Sequence, residues 1–261
     1  EVTTSDIQLE IVDISTPATP TSVSVTNLAA GNDWGFGTIM IQGGTIYYVV
    51  WIAGDVYIYD VTDSADVTFV ASFAANSMGG ELGFGNYFYV PDDTDSLVQI
   101  WDLTTPATPA HVGDAAYGDN GDNNYFGVGV QGTNLLALRS DWVTGQNYIT
   151  HFDITDPTTP VFVTDLADDQ AHGLSGVYPT FNGIVVGLTG AAYVASYGTD
   201  GSDYGVIQGY KIPIAYGQEA TVFESPDYVW DGAKISQQNT LVAIWADGIY
   251  STPPNVLRPD L

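Results

Sequence analysis

Cysteine is absent from the 261 residues and cations nearly so: four Lys and Arg stand against 31 Asp and Glu, a formal net charge of −27. Without cysteine there is no disulfide, no thiolate metal site and no thiol nucleophile. Lys211, Lys234, Arg139 and Arg258 are the only cations. They form no basic stripe that could displace counterions from a phosphate backbone or hold anionic lipid, so nucleic acid is excluded as a partner. No run of about 18 apolar residues occurs, so no membrane-spanning helix is expected. The chain opens at Glu1 with neither Met nor a basic, apolar leader. That fits a mature form after signal removal and equally a trimmed chain; the expectation is an extracellular, cell-surface or virion location.

What is present suits a folded core: 45% of residues are hydrophobic, 13% aromatic and only 13% charged, which argues against disorder. The acid is mostly Asp, with Glu only at positions 1, 10, 81, 219 and 224. Asp favours turns where Glu favours helices, so the carboxylates are expected on loops. An acidic, lysine-poor surface also suits a salty medium, where it stays hydrated.

The chain repeats. IQLEIVDISTPATP at 7–20, VYIYDVTD at 56–63, LVQIWDLTTPATP at 97–109 and YITHFDITDPTTP at 148–160 each alternate as a β-strand and end in an apolar–Asp–apolar step, at Asp13, Asp60, Asp102 and Asp153. The period is that of a propeller blade of four short strands. A Thr/Pro turn and a second β-branched run follow each step, at 22–25, 67–72, 111–113 and 161–164. Two strands precede it: an inner glycine–aromatic segment, at 34–37, 82–85, 125–128 and more loosely 177–180 and 229–232, then an apolar run at 45–51, 87–90, 135–138, 184–188 or 241–245. Glycine there lets neighbouring blades approach closely near the axis.

The expected fold is all-β, a single domain over 1–261: a five-bladed β-propeller of four-stranded blades at 32–75, 76–115, 116–168 and 169–226. The fifth is a composite of both termini, with its inner strands in 227–250 and its outer strands in 6–28. Closure by a shared blade removes the open edge. The stretch 189–205 is expected as an insertion in the fourth blade, and 251–261, with Pro253, Pro254 and Pro259, as an extended arm.

The Ile-Val-Asp-Ile, Ile-Tyr-Asp-Val and Ile-Trp-Asp-Leu steps followed by Thr-Pro resemble the LVIVD repeat, a propeller repeat of exported and cell-surface proteins. The resemblance implies the fold and export, and assigns no activity. Residues 64–66 in place of the Thr-Pro turn and 211–214 in place of the Asp step depart from it.

Loops joining blades, and loops joining second to third strands, share one end of a propeller. Acidic and amide residues are expected there: Asn32, Asp33, Glu81, Asp119, Asp122, Asn124, Asp168, Asp169, His172 and Asp227, with Asp55, Asp92, Asp93, Asp95, Asp141, Asp200, Asp203 and Asp247. The opposite end is expected to carry mainly uncharged turns. One reading of these residues is that Asp, Asn and Gly simply form turns. The other is a cation site, since calcium takes six to eight oxygens from carboxylates, amides and carbonyls. Its candidate ligands are Asp119, Asp122 and Asn124, then Asp200 and Asp203, with the 92–95 stretch third. No motif requires a cofactor, and calcium is the ion these loops would take.

Candidate ligand-binding residues are Trp34, Tyr197, Tyr204, Trp230 and His172, rigid aromatics and one imidazole on or near that end. His111 and His151 fall in strands and read as structural. The chain is expected to be a non-enzymatic module that binds a surface glycan or a protein, with homo-oligomer or larger assembly as a further possibility. Two alternatives stand beside this. One is a carbohydrate-active hydrolase whose funnel carboxylates Asp33, Glu81 and Asp227 act as acid and base; the other is a structural subunit of a surface layer, filament or capsid.

Overall fold

The computed structural model describes residues 6–30, 35–76, 80, 82–92, 95–118, 123–141 and 146–167, and beyond these the strands named below for the C-terminal third. All regular structure among the described residues is β. β1 (Asp6–Asp13) and β2 (Thr21–Ala30) form a two-stranded antiparallel sheet. A four-stranded sheet follows, of β3 (Gly35–Gln42), β4 (Thr45–Ile52), β5 (Asp55–Asp60) and β6 (Thr68–Ala74). The second contains β7 (Leu82–Phe84), β8 (Tyr87–Asp92), β9 (Leu97–Asp102) and β10 (Ala110–Ala116). The third contains β11 (Asn123–Gln131), β12 (Asn134–Asp141), β13 (Gln146–Asp153) and β14 (Val161–Ala167). The fourth contains β15 (Ile184–Val186), β16 (Ala191–Tyr197), β17 (Gly205–Lys211) and β18 (Thr221–Glu224). Last come β19 (Ala233–Gln238), β20 (Leu241–Ala246) and β21 (Asn255–Leu257), a three-stranded sheet.

Within each four-stranded sheet the strands pair in chain order, antiparallel throughout. The first strands β3, β7, β11, β15 and β19 touch one another in succession, which makes them the inner strands of blades set side by side. Gly80 marks how close the approach is. The Val128 N–H donates to its carbonyl at 3.2 Å, and a Cβ there would collide with the Phe126 carbonyl. The core lies between blades. Met40, Val49, Val56 and Ile58 pack with Phe88, Val90 and Leu103, and Tyr89, Val98 and Ile100 pack with Tyr125, Val128, Leu135 and Phe152. Each such side chain contributes about 1.5–3 kcal/mol by leaving water. The N-terminal hairpin joins the series, because Ile7 and Leu28 pack on Val50, Ile52 and Tyr59 of the first blade.

The repeat carries a feature that alternation does not reveal. Where β2, β6, β10 and β14 pair with β1, β5, β9 and β13, one valine is left over each time: Val23, Val70, Val112 and Val163. Each sits opposite the two residues that precede the repeat Asp. A bulge there bends the outer strand and roughens its free edge against strand addition. In two of the four the residue after it meets the next blade. Ser24 Oγ donates to the Ser64 carbonyl at 2.5 Å, and a Cβ on Gly113 would collide with the Pro157 carbonyl.

Two expectations are corrected. The stretch 189–205 is not a free insertion: Ala191–Tyr197 is the second strand of the fourth blade, paired along its length with β17. Its alanines and serine have little β preference, which hid a strand that tertiary pairing supports. Nor is 251–261 only an extended arm, since Asn255–Leu257 pairs with β20.

Candidate functional site

The two loop sets expected at one end of the blades do meet there. The Ala75 N–H, in the link between first and second blades, donates to Gly54 O in the β4–β5 turn at 3.0 Å. The most elaborate polar structure of the described residues lies at this end of the third blade. Arg139 of β12 is 2% exposed. Its Nε donates to Thr150 Oγ1 of β13 at 3.0 Å, one Nη to Asn123 Oδ1 of β11 at 2.5 Å, and the other to Asp165 Oδ2 of β14 at 2.6 Å. Tyr117 and Tyr148 cover the two sides of the guanidinium, with ring centres 4.3 and 4.1 Å from Cζ. All four strands of the blade and the segment entering it converge on one cation. A planar fork of five donors suits this, where an ammonium would not.

The clamp anchors Tyr117 and Asn123, the described residues on either side of 118–122. The Tyr117 N–H donates to Tyr125 Oη at 3.2 Å, and Asn123 Nδ2 to Tyr117 O at 3.5 Å. Burial raises the Tyr125 hydroxyl far above its ordinary titration, so it stays a neutral acceptor. Tyr117 remains 38% exposed and leans on Phe162, ring centres 4.8 Å apart, beside exposed Val161 and Val163.

In the second blade, Asp92 occupies the corresponding end of β8. It is buried, accepting the Asp95 N–H at 3.0 Å and Gln99 Nε2 at 2.8 Å. As the first member of the third-ranked cation stretch, it caps its own loop.

The opposite end shows what the repeat Asp does. The carboxylates of Asp13, Asp60, Asp102 and Asp153 accept the N–H two residues on, from Ser15, Thr62, Thr104 and Thr155, at 2.7–2.9 Å. Asp63 and Asp156 repeat the device for Ala65 and Thr158. The hydroxyl and N–H of Thr62, Thr155 and Thr158 hold Asp60, Asp153 and Asp156 below the ordinary 3.8. For Asp13 the Ser15 N–H has the same effect. These are Asx turns that preset the link between third and outer strands. Asp13, Asp60, Asp63, Asp66, Asp102, Asp153 and Asp156 all lie at this end. The expectation of an uncharged opposite face is therefore corrected: among the described residues acid decorates both ends, because the repeat itself places a capping Asp at the far one.

The histidines are apart. His111 is exposed, 2.8 Å from Asp114 Oδ1 through Nε2. His151 is buried, its Nε2 2.8 Å from Asn134 Oδ1. Asn134 Nδ2 donates to Gln131 O, which leaves Oδ1 as the acceptor and puts the imidazole proton on Nε2. Nδ1 then faces the core without a partner, and burial holds the group below 6.5.

Of the residues singled out in the sequence, Asn124 lies on β11 opposite Ser140 and Tyr197 ends β16 opposite Gly205. Asp33, Trp34, Glu81, Asp119, Asp122, His172, Asp200, Asp203, Tyr204, Asp227 and Trp230 lie outside the described residues. The Arg139 cluster was missed. Its signal was present: an arginine within the apolar run Leu135–Leu138 and Ser140, in a chain with four cations.

No family model matches the chain, and no curated protein matches it. Solved structures do. A protein from Bacteroides uniformis ATCC 8492, provisionally named a 6-phosphogluconolactonase, superposes with a TM-score of 0.59 at 9% identity, over 92% of this chain and 71% of that one. A functionally unknown protein from Desulfotomaculum acetoxidans DSM 771 gives 0.56 at 9%, over 92% and 72%. A protein from Lactobacillus plantarum gives 0.54 at 12%, over 85% and 66%. The chain thus spans about two thirds to three quarters of the length of these propeller-like neighbours. Likeness at such identity shows the fold, a β-propeller type built of four-stranded antiparallel sheets.

Proposed function

We propose that this protein is a non-enzymatic binding and assembly module, exported to a cell surface, the extracellular space or a virion. It recognises a surface glycan or another protein through the loop end that carries the Arg139 clamp. One observation carries the reading: the polar groups described at that end are engaged with the chain's own strands and the described residues that flank its loops. Arg139 bonds to Thr150, Asn123 and Asp165, and Asp92 accepts from Asp95 and Gln99. Loop ends anchored before contact leave less entropy to lose on binding, which favours recognition. Beside them Tyr117 and Phe162 offer exposed aromatic surface. A charge confined to one end is not part of the support.

We read the architecture as five blades, the fifth composed of β19–β20 and the β1–β2 hairpin. Two facts support this. The hairpin has the bulge position of the outer strands of the other blades, and it sits on the first blade through Ser24 and Ser64 much as Gly113 sits against Pro157. The LVIVD-like assignment rests on the same four repeats. Calcium bound by Asp119, Asp122 and Asn124, or by Asp200 and Asp203, remains part of the proposal. Its test is the melting temperature with and without chelator, which a native-state ligand must shift.

The functional test replaces residues 118–122 by a Gly-Ser linker of equal length and compares binding on glycan arrays and to candidate surface proteins. The reading expects a ligand that the parent binds and the variant loses, at an unchanged melting temperature. Hydrolysis of a glycan that Asp33→Asn or Glu81→Gln abolishes would replace it with the hydrolase.

A further inference from the structure

The seam between the chain's first and last sheets carries two unsatisfied features and one edge that is already occupied. β5, β9 and β13 each pair on both sides, whereas among the described residues β1, which carries the same repeat, pairs with β2 alone. On β3, Ile39 and Ile41 are 55% and 68% exposed. They point away from the second blade, toward which Met40 and Thr38 project. On β11, which has a blade before it, Val128 and Val130 are 3% and 5% exposed. Finally, the edge of β20 that would receive a third strand is held by β21: Val242 stands opposite Leu257, Ala243 opposite Val256 and Ile244 opposite Asn255.

The repeat offers two registers in which β1 could take that edge: in the first blade Asp60 faces Tyr47, two residues into β4, and the next two blades share another. In the second blade Asp102 faces Tyr87, the first residue of β8, and Ile100 faces Tyr89. In the third, Asp153 faces Asn134, the first residue of β12, and His151 faces Leu136. Transferred to β1 and β20, the register of the second and third blades sets Asp13 opposite Leu241 and Ile11 opposite Ala243; that of the first blade sets Asp13 itself opposite Ala243. Ala243 already faces Val256. One partner position is contested by two strands.

We propose that the outer edge of β20 is a strand-binding slot with two alternative occupants, β21 in the open arc and β1 in the closed ring, so that closure is a strand exchange that releases β21. The proposal rests on the composite-blade reading above. β1 has eight residues for pairing against three in β21, and its arrival sets β19–β20 over Ile39 and Ile41. β21 has the advantage of proximity, but loop-closure entropy grows only slowly with chain separation, so the longer strand prevails. Until then β21 covers an apolar edge that would otherwise recruit other strands.

The cysteine-free chain makes the test clean. One variant carries Ile11→Cys with Ala243→Cys, a second Ala243→Cys with Val256→Cys, and both are oxidised mildly and run on non-reducing gels. The proposal expects an intrachain disulfide in each. It also expects the first to form several-fold faster when Val256→Pro removes the ladder hydrogen bond that β21 needs. If the second pair never forms while the first does, β21 is no occupant and the composite blade stands without it. A rate for the first pair that ignores Val256→Pro overturns the competition, and a first pair that links only between chains gives the slot to a second copy. If neither the first pair nor Ile11→Cys with Trp245→Cys, which is the first blade's register, forms a link, the composite blade itself is removed. Circular dichroism of each variant separates these results from loss of fold.

Discussion

At the scale of single residues the sharpest expectation concerns Arg139. Arg139→Met strands Asp165 and Asn123 beneath two tyrosines, and denaturant unfolding should show a loss of about 3–5 kcal/mol, as when one partner of a buried ion pair is removed. Arg139→Lys should recover little of it, because one ammonium cannot reach Thr150, Asn123 and Asp165 together. His151 supplies a pH dependence. Burial lowers its pKa in the folded state below 6.5, so on acidification the unfolded chain takes up the proton first. Stability should be full above about pH 6.5 and fall below it, and His151→Leu should flatten that limb of a melting-temperature profile. Asp13, Asp60, Asp153 and Asp156 act lower down. Their pKa values sit under 3.8 in the fold, so their contribution persists above that value and is lost as pH drops through the folded values. The apolar–Asp–apolar step was visible in the sequence, but not its purpose: an Asx turn depends on where the N–H two residues on is aimed. The Arg139 clamp was hidden for a similar reason, since its partners come from four strands far apart in the chain.

At the scale of elements, the repeat located nearly every strand of the first three blades, because a period of two in buried β-branched residues is legible without structure. The bulges were not. Val23, Val70, Val112 and Val163 continue an apolar pattern by type, and only the pairing shows that each is left over. The fourth blade misled for the opposite reason, its second strand being written in small residues. The bulge also makes a prediction. The residue after it is small where the next blade's turn presses on it, so Gly113→Val should lower stability by about 1–3 kcal/mol through overpacking against Pro157, in equilibrium unfolding. Val112→Thr, beside it, keeps the branched shape and should change the midpoint far less.

At the scale of the whole molecule, the net charge of −27 keeps its exclusions but loses its location. The repeat places capping carboxylates at the far end of the N-terminal hairpin and of the first three blades, so hydration of the whole surface explains much of the charge, and recognition has to be argued from the anchored loop ends. Those loops gather on one end only because consecutive blades share an axis. The composite fifth blade is what would complete that arrangement, and its direct readout is hydrogen exchange along β1. A strand paired on one side protects every second amide, whereas one paired on both sides protects successive amides. The account predicts slow exchange at successive amides from Ile7 to Val12, as in β5, β9 and β13; protection of alternate amides alone, with the others exchanging at the rate of an open edge, would contradict it.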